Sequence, residues 1–204
     1  MFKKIETMNE ELKIGFDLDD VLVPYMKYFW DFCHNHLGYK NITPLDQMTS
    51  TSFEKLLGVD GDTMDKIIKE FEQHENWIKI HNHEPHPECI QLLTDLKQNG
   101  HTLFIITARE ERYHSITHEC ISRFFPEIFT DVVFCNIYRG NGKKETKSSV
   151  CKRLGCSILI DDNLDHVREV RESGIQGIAF GSNNWTKSDP DHIKTWGELR
   201  EILL

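Results

Sequence analysis

A short apolar run near the start of the chain ends in three closely spaced carboxylates. Residues 14–16 suit a buried strand, and Asp17, Asp19 and Asp20 follow at once, before apolar residues resume. Asp17 and Asp19 can leave the strand end on one side, because side-chain direction repeats every two residues along a strand. An acidic loop that merely follows a strand is the simpler interpretation of this stretch.

A metal and phosphate site is the functional interpretation of the same residues. Two close carboxylates repel each other unless a cation or a shared proton relieves them. Hard divalent cations such as Mg²⁺ prefer oxygen ligands. Open α/β proteins bind their ligands at the carboxyl edge of the sheet, which is where carboxylates that follow a strand would lie.

Short apolar runs alternate with helical patterns in the second half of the chain. Runs typical of buried strands occupy residues 103–106, 132–135, 157–160 and 177–180. Apolar residues between these runs recur at helical spacing. Strands that alternate with helices predict a mostly parallel sheet with helices on both faces. We therefore expect a Rossmann-like, three-layer α/β core.

Residues 24–84 show helical patterns and no convincing strand. We expect them to form a small helical cap inserted after the first strand, with residues 1–23 and 85–204 as the core. Aromatic residues are frequent in this segment, and pockets are often lined with such side chains. The candidates to face the site are Tyr25, Phe29, Trp30 and Trp77.

Composition excludes several classes of partner. The formal net charge of −9 argues against duplex nucleic acid, because phosphate binding usually needs a basic patch. The six cysteines include no C-x-x-C pair, and several lie in apolar patterns, as reduced buried thiols do. The N-terminus lacks the apolar core of a signal peptide, and we find no run of about 18 apolar residues. We expect a cytoplasmic protein with a small-molecule substrate and no membrane partner.

Four sets of polar residues lie just after an apolar strand or just before a helix. They are Asp17 with Asp19, Thr107, Lys147, and Asp161 with Asp162. One carboxylate can attack phosphorus, and a second can shuttle the proton of the leaving group. A hydroxyl and an ammonium can hold the transferring oxygens, and Mg²⁺ on further carboxylates can offset their charge. The sets together supply what phosphoryl transfer to a carboxylate requires.

These sets resemble the four motifs of the haloacid dehalogenase superfamily of phosphatases, in the right order over residues 13–180. F-D-L-D-D-V at residues 16–21 is similar to the first motif, and Thr107 after L-F-I-I to the second. Lys147, opening a helix, is similar to the third, and I-L-I-D-D at residues 158–162 to the fourth. The insertion resembles the helical cap of the superfamily's first subclass. Within the superfamily, the chain most resembles the 5'-nucleotidase and deoxyribonucleotidase branch. The features that carry this resemblance are the length of the cap and the patterns D-D-V-L, T-A-R and I-D-D-N.

The resemblance implies roles for the first two motifs. Asp17 would be the nucleophile and a metal ligand. Asp19 would be the general acid and base, with its backbone carbonyl also on the metal. Thr107 would bind phosphate, with Ala108 and Arg109 beside it in the same motif.

It also implies roles for the last two motifs. Lys147 would stabilise the charge of Asp17 and of the phosphoryl group. Lys143 and Lys144 compete for this role, and Lys147 is preferred because it directly precedes the helix. Asp161 and Asp162 would complete a Mg²⁺ site, directly or through water.

The implied function is Mg²⁺-dependent hydrolysis of a phosphomonoester through an aspartyl-phosphate, with a nucleoside monophosphate as the expected substrate. Another small phosphorylated metabolite is the alternative. Receiver-type signalling domains also gather acidic residues, a threonine and a lysine around a phosphorylated aspartate, but they lack a second Asp-Asp after the lysine and a long helical insertion. A binding module on the same fold is disfavoured, because every proposed catalytic group is present.

Two histidine-rich segments are not interpreted as metal sites. His81, His83 and His86 precede Cys89 with a spacing that matches no zinc pattern, so we interpret the segment as the hinge from cap to core. His114 and His118 lack the glutamate of a metalloprotease motif, and we interpret them as a solvated helix face.

Overall fold

A single parallel sheet forms the centre of the molecule. The computed structural model describes residues 11–138 and 143–204, so the first ten residues of the predicted core lie outside the described residues. The strands are β1 Lys13–Phe16, β2 Thr102–Thr107, β3 Asp131–Phe134, β4 Ile158–Asp161 and β5 Gln176–Ala179. Every neighbouring pair is parallel. The predicted sheet is confirmed, and the strand boundaries differ from the predicted ones by about one residue.

The strand order separates this fold from receiver-type domains. The order is β3-β2-β1-β4-β5, so β1 lies between β2 and β4. This is the order of the Rossmann type, whereas flavodoxin-like receivers have the order 2-1-3-4-5. The receiver alternative is therefore excluded by topology.

Helices account for most of the remaining described chain. The α-helices are α1 Tyr25–Asp31, α2 Phe53–Leu57, α3 Gly61–Phe71, α4 Glu75–His81, α5 Pro87–Gln98, α6 His114–Phe124, α7 Lys147–Leu154, α8 Leu164–Glu172 and α9 Trp196–Leu203. A π-helical turn, Phe32–His36, continues α1, and short 3₁₀ turns occupy Leu45–Gln47, Glu111–Tyr113 and Thr186–Ser188. Among the described residues, none of these helices combines the length and apolar character needed to cross a membrane.

Alternate side chains of the strands enter two separate cores. Ile14 and Phe16 of β1 join the larger core, which includes apolar residues of α5, α6 and α9. Phe104 and Leu159 face the other way and pack with Val150 and other apolar residues of α7 and α8. The two cores confirm the three-layer α/β architecture. All six cysteines are buried and free.

The four helices α1 to α4 lie between β1 and α5, in the segment predicted to form a helical cap. Their aromatic side chains form a cluster in which the Phe29 ring lies 4.2 Å from Phe53 and 5.1 Å from Phe71. Apolar residues of these helices belong to the larger core. Helix α4 packs against both α1 and α6, so it connects the insertion to the α/β core.

A tight turn links β1 to the helical insertion. The Val23 amide donates to the Leu18 carbonyl at 3.0 Å, and the Asp20 amide donates to the Val23 carbonyl at 2.7 Å. Asp20 has a φ of 59°, a left-handed conformation in which aspartate is enriched among non-glycine residues. Its carboxylate accepts the Met26 amide at 3.0 and 3.1 Å. The third acidic residue of the stretch thus holds the start of α1.

Candidate active site

The residues proposed from sequence meet at the carboxyl edge of the three central strands. Asp17 directly follows β1, Thr107 ends β2, and Asp161 ends β4. Because these strands are parallel neighbours, their ends lie side by side. Lys147 is the first residue of α7, where the Thr146 hydroxyl caps the helix by accepting the Ser149 amide at 3.2 Å.

Lys147 bridges the ends of two strands. Its Nζ lies 2.7 Å from Oδ1 of Asp17 and 2.7 Å from Oδ2 of Asp161, and its side chain is fully buried. The two competing lysines lie elsewhere: Lys143 has an 85% exposed side chain and lies near Glu145, and Lys144 is exposed. Of the three lysines, Lys147 is the one that the structure places at the carboxylates.

The two oxygens of Asp17 have different surroundings. Oδ1 accepts hydrogen bonds from the Lys147 ammonium and from the Leu18 amide, the latter at 2.7 Å. Oδ2 makes no hydrogen bond to any other part of the described chain. The residue is 5% exposed and lines a cavity of about 540 Å³. One oxygen of Asp17 is therefore fixed, and the other is available to a ligand.

Three carboxylates form a compact acidic cluster. Oxygens of Asp17, Asp161 and Asp162 all lie within 4.8 Å of one another. Asp161 accepts the Asn163 amide at 2.9 Å, and Asp162 accepts the indole N–H of Trp185 at 2.9 Å. Three buried carboxylates face one buried ammonium, so the cluster fits a hard divalent cation with oxygen ligands.

Burial and charge set the pKa values of this cluster. Burial raises the pKa of Asp17 to about 7, although the positive charge of Lys147 opposes the shift. Burial also raises the pKa of Asp162 well above its ordinary value, and the charge of Asp20 adds to this effect. For Asp161, burial is the largest single influence and raises the pKa, but the interactions with Lys147 and His166 together outweigh it and lower the pKa to about 2. Burial of like charges therefore favours binding of a cation to Asp17 and Asp162.

The side chain of Asp19 is held by Arg109. The Arg109 guanidinium donates from Nε to Oδ2 at 2.8 Å and from Nη2 to Oδ1 at 2.7 Å. The sequence interpretation placed Arg109 with Thr107 and Ala108 at the phosphate. The Thr107 hydroxyl accepts the Arg109 amide at 3.2 Å, and Ala108 lines the cavity. The Arg109 guanidinium is thus largely occupied by protein partners, among them Asp19.

A cavity of about 540 Å³ opens in front of the cluster and extends under the helical insertion. Of the four aromatic candidates, Tyr25 and Trp77 line it. Phe29 is instead fully buried. Trp30 donates its indole N–H to the Thr43 carbonyl and stacks on His34.

Several residues at the site were not identified from sequence. They are Phe53, Tyr113 and Tyr138, which line the cavity, and Trp185, which donates a hydrogen bond to Asp162. No motif or periodic pattern marks them, because each reaches the site from a loop or a helix end. His81, which we interpreted as part of a hinge, ends α4 and lies against Arg109.

The remaining histidines of the two histidine-rich segments do not belong to the acidic cluster, whereas Nδ1 of His166 lies 3.5 Å from Oδ2 of Asp161. His83 shares a hydrogen bond with the Tyr28 hydroxyl at 3.0 Å, and the rings of His114 and His118 lie 4.0 Å apart on α6. Among the described residues, Asp17, Asp161 and Asp162 form the one group of acidic, histidine or cysteine side chains close enough to share a metal ion.

Known proteins resemble this chain in sequence and in fold. A protein from Bacillus cereus described as a "putative nucleotidase" is 22% identical over 193 residues, covering 94% of this chain and 98% of that protein. A structure described as a "predicted phosphatase" from Clostridium acetobutylicum has a TM-score of 0.69 at 17% identity, covering 94% of this chain and 97% of that chain. A "putative phosphoglycolate phosphatase" from Lactobacillus delbrueckii has a TM-score of 0.60 at 16% identity, covering 94% and 98%.

Family membership follows from the sequence match. The sequence model of the haloacid dehalogenase-like hydrolases matches residues 14–157, which include Asp17, Asp19, Thr107 and Lys147. The matched segment is more than half of the 204 residues. The chain belongs to the haloacid dehalogenase-like hydrolase family.

Proposed function

We propose that the protein is a Mg²⁺-dependent phosphomonoester hydrolase that forms an aspartyl-phosphate on Asp17. The observation that carries this proposal is the bridge from the Lys147 ammonium to Asp17 and Asp161, both at 2.7 Å, beside a cavity of about 540 Å³. A buried ammonium next to a nucleophilic carboxylate stabilises charge on both the nucleophile and the transferring group. The alternative of an acidic surface loop does not account for a buried lysine between two carboxylates.

In the first half-reaction, Oδ2 of Asp17 attacks phosphorus, since Lys147 and the Leu18 amide hold Oδ1. The bond between phosphorus and the leaving oxygen breaks, and Asp19 gives a proton to that oxygen. In the second half-reaction, Asp19 takes a proton from water, whose oxygen attacks phosphorus. The bond to Asp17 then breaks, and inorganic phosphate leaves.

The donor set fits the metal that the family resemblance implies. Asp17, Asp161 and Asp162 would hold Mg²⁺, together with the backbone carbonyl of Asp19. When bound, the ion supplies positive charge that offsets the negative charge of the phosphoryl oxygens. The Thr107 hydroxyl and the backbone at Ala108 are the proposed phosphate contacts, because both lie at the same sheet edge.

We propose a nucleoside monophosphate as the substrate. The nucleotidase-like name of the Bacillus cereus relative supports this choice. Tyr25, Phe53, Trp77 and Tyr113 supply aromatic surface in the cavity wall, on which a base can stack. Pockets of about 300–1,000 Å³ commonly take small ligands of this kind, so the cavity size is suitable.

Another small phosphorylated metabolite is the second candidate, favoured by the structural likeness to a protein named as a phosphoglycolate phosphatase. Phosphate release should be measured from a panel of nucleoside monophosphates and of sugar and carboxylic acid phosphates, with Mg²⁺ and with chelator. A preference for nucleotides of at least tenfold in kcat/KM supports the nucleotidase proposal. A preference for a substrate without a base contradicts it, and turnover by Asp17→Asn at the wild-type rate contradicts the mechanism.

A further inference from the structure

Arg109 is the centre of a buried network that joins three parts of the chain. Besides its two hydrogen bonds to Asp19, its Nη1 lies 2.7 Å from Nε2 of His81 and donates to the Thr117 hydroxyl at 3.0 Å. The Arg109 side chain is only 4% exposed. A guanidinium has five N–H donors, and this arrangement occupies four of them. Most of the N–H donors of Arg109 are thus committed to protein partners, although the residue borders the cavity.

The partners of Arg109 come from separate elements. Asp19 lies in the turn after β1, His81 is the last residue of α4 in the insertion, and Thr117 lies in α6 of the core. Nδ1 of His81 lies 2.8 Å from the Trp77 carbonyl, which can only accept, so Nδ1 carries the hydrogen. Nε2 is then the acceptor for Arg109. The histidine tautomer is therefore fixed by the backbone of α4.

The bidentate contact fixes the orientation of the Asp19 carboxylate. Two parallel N–H···O bonds define the plane of a carboxylate as well as its position. Each oxygen keeps a second acceptor position, and the Asp19 side chain remains 25% exposed toward the cavity. The Trp77 ring lies 5.4 Å from the guanidinium carbon, so α4 contacts Arg109 through both Trp77 and His81.

We propose that Arg109 is a positioning residue that orients the Asp19 carboxylate for proton transfer. Because Arg109 also contacts His81, this orientation depends on the packing of helix α4 against the core. The proposal rests on the function proposed above, in which Asp19 protonates the leaving oxygen. It differs from a phosphate-binding role, which would affect all phosphate esters alike. It also differs from a purely structural ion pair, which would not distinguish between leaving groups.

Leaving-group dependence tests this proposal. An alkyl phosphate, such as a nucleoside 5'-monophosphate, needs a proton on its leaving oxygen, whereas 2,4-dinitrophenyl phosphate has a leaving group that departs without one. Arg109→Lys should lower kcat/KM, which reports the steps up to phosphorylation of Asp17, about tenfold to a hundredfold more for the alkyl ester than for the dinitrophenyl ester, since general acid catalysis contributes about 10²–10⁴-fold. Asp19 also acts as the base on the aspartyl-phosphate formed from either ester, so a loss of kcat alone does not separate the two esters.

A second variant tests the link through α4. His81→Phe keeps an aromatic ring but removes the acceptor for Arg109, and it should give the same selective loss in smaller amount. The matched control is Arg112→Lys, in the same segment, where Arg112 pairs with Glu72 and Glu110 and is about half exposed. This control should not distinguish between the two esters.

Each outcome has a definite meaning. Equal losses of kcat/KM on both esters in Arg109→Lys overturn the positioning role and leave the hydrolase proposal intact. If Arg109→Lys fails to fold by circular dichroism, His81→Phe decides, and an absence of selective loss in it overturns the link to α4. A wild-type protein that hydrolyses neither ester overturns the proposed function and this proposal with it.

Discussion

The Lys147 ammonium lies 2.7 Å from Oδ1 of Asp17, with both side chains buried. The contact joins the start of α7 to the end of β1, and the same ammonium also reaches Asp161 at the end of β4. Breaking a buried ion pair by removing one partner leaves an uncompensated charge, which typically destabilises a protein by about 3–5 kcal/mol. Lys147 is thus expected to matter both for stability and for turnover.

Lys147→Gln should lower kcat at least about a hundredfold, as loss of a preorganised donor at a developing charge commonly does. It should also lower the free energy of unfolding at neutral pH, measured by urea denaturation without metal. Lys143→Gln is the matched control, because the Lys143 side chain is 85% exposed. If the Lys143 variant is the one that loses activity, Lys147 is not the functional lysine.

Mg²⁺ should raise the thermal stability of the wild-type protein, because a ligand that binds only the native state stabilises it. At a free concentration about a hundredfold above Kd, the gain is about 3 kcal/mol. Asp162→Asn should lose most of this gain, while its amide oxygen can still accept the Trp185 indole N–H. Asp165→Asn is the control, since the Asp165 side chain is 87% exposed and belongs to no cluster in the described chain that could bind a metal. Equal Mg²⁺ responses in the two variants would place the ion elsewhere.

The aromatic residues of the insertion give a matched pair for substrate binding. Tyr25 lines the cavity, whereas Trp30 does not and donates to the Thr43 carbonyl. Tyr25→Leu should raise KM for the preferred nucleotide, since stacking of a base on an aromatic ring is worth about 1–3 kcal/mol. Neither Tyr25→Leu nor Trp30→Leu should change KM for 4-nitrophenyl phosphate much. If the two variants affect the nucleotide equally, the wall at Tyr25 does not bind the base.

The sequence analysis identified the groups at the strand ends but not how they pair. Short apolar runs and a helix start are local features, so Asp17, Lys147 and Asp161 could be assigned to one sheet edge before the fold was known. The contact of Arg109 with Asp19 spans 90 positions, and that of Trp185 with Asp162 spans 23. Neither contact follows from a local pattern.

The aromatic candidates also show that a local sequence pattern does not predict contacts between distant parts of the chain. Tyr25 and Phe29 are four residues apart on α1, and helical spacing places them on one face. Tyr25 reaches the cavity, but Phe53 from α2 stacks on Phe29 at 4.2 Å, and Phe29 is fully buried. Which of two equivalent positions lines the cavity depends on how the other helices pack around them, so the sequence pattern alone could not separate them.

His81 should give part of the pH dependence of stability. Burial, together with the charge of Arg109, lowers the pKa of His81 from 6.5 to about 4. In the unfolded chain His81 takes up a proton below pH 6.5, whereas in the native state it does so only near pH 4. The stability is therefore complete above pH 6.5 and is lost as the pH falls toward 4, by about 2 kcal/mol between pH 7 and pH 5.

Urea denaturation at pH 7 and pH 5 measures this effect. His81→Gln should reduce the difference in unfolding free energy between the two pH values, relative to the wild type. His114→Gln, at an exposed position on α6, should leave the difference nearly unchanged. If His81→Gln retains the full wild-type difference, His81 is not buried in the neutral form in solution.

The most direct test of the account is chemical trapping of the phosphorylated residue. Wild-type protein turning over a phosphate ester with Mg²⁺ should be quenched with borohydride, which reduces an acyl phosphate to an alcohol, and its peptides analysed by mass spectrometry. We predict homoserine at position 17 that depends on substrate and is absent from Asp17→Asn. Reduction at another carboxylate, or phosphate release with no residue modified under conditions that trap a known acyl phosphate, would contradict the assignment of Asp17 as the nucleophile.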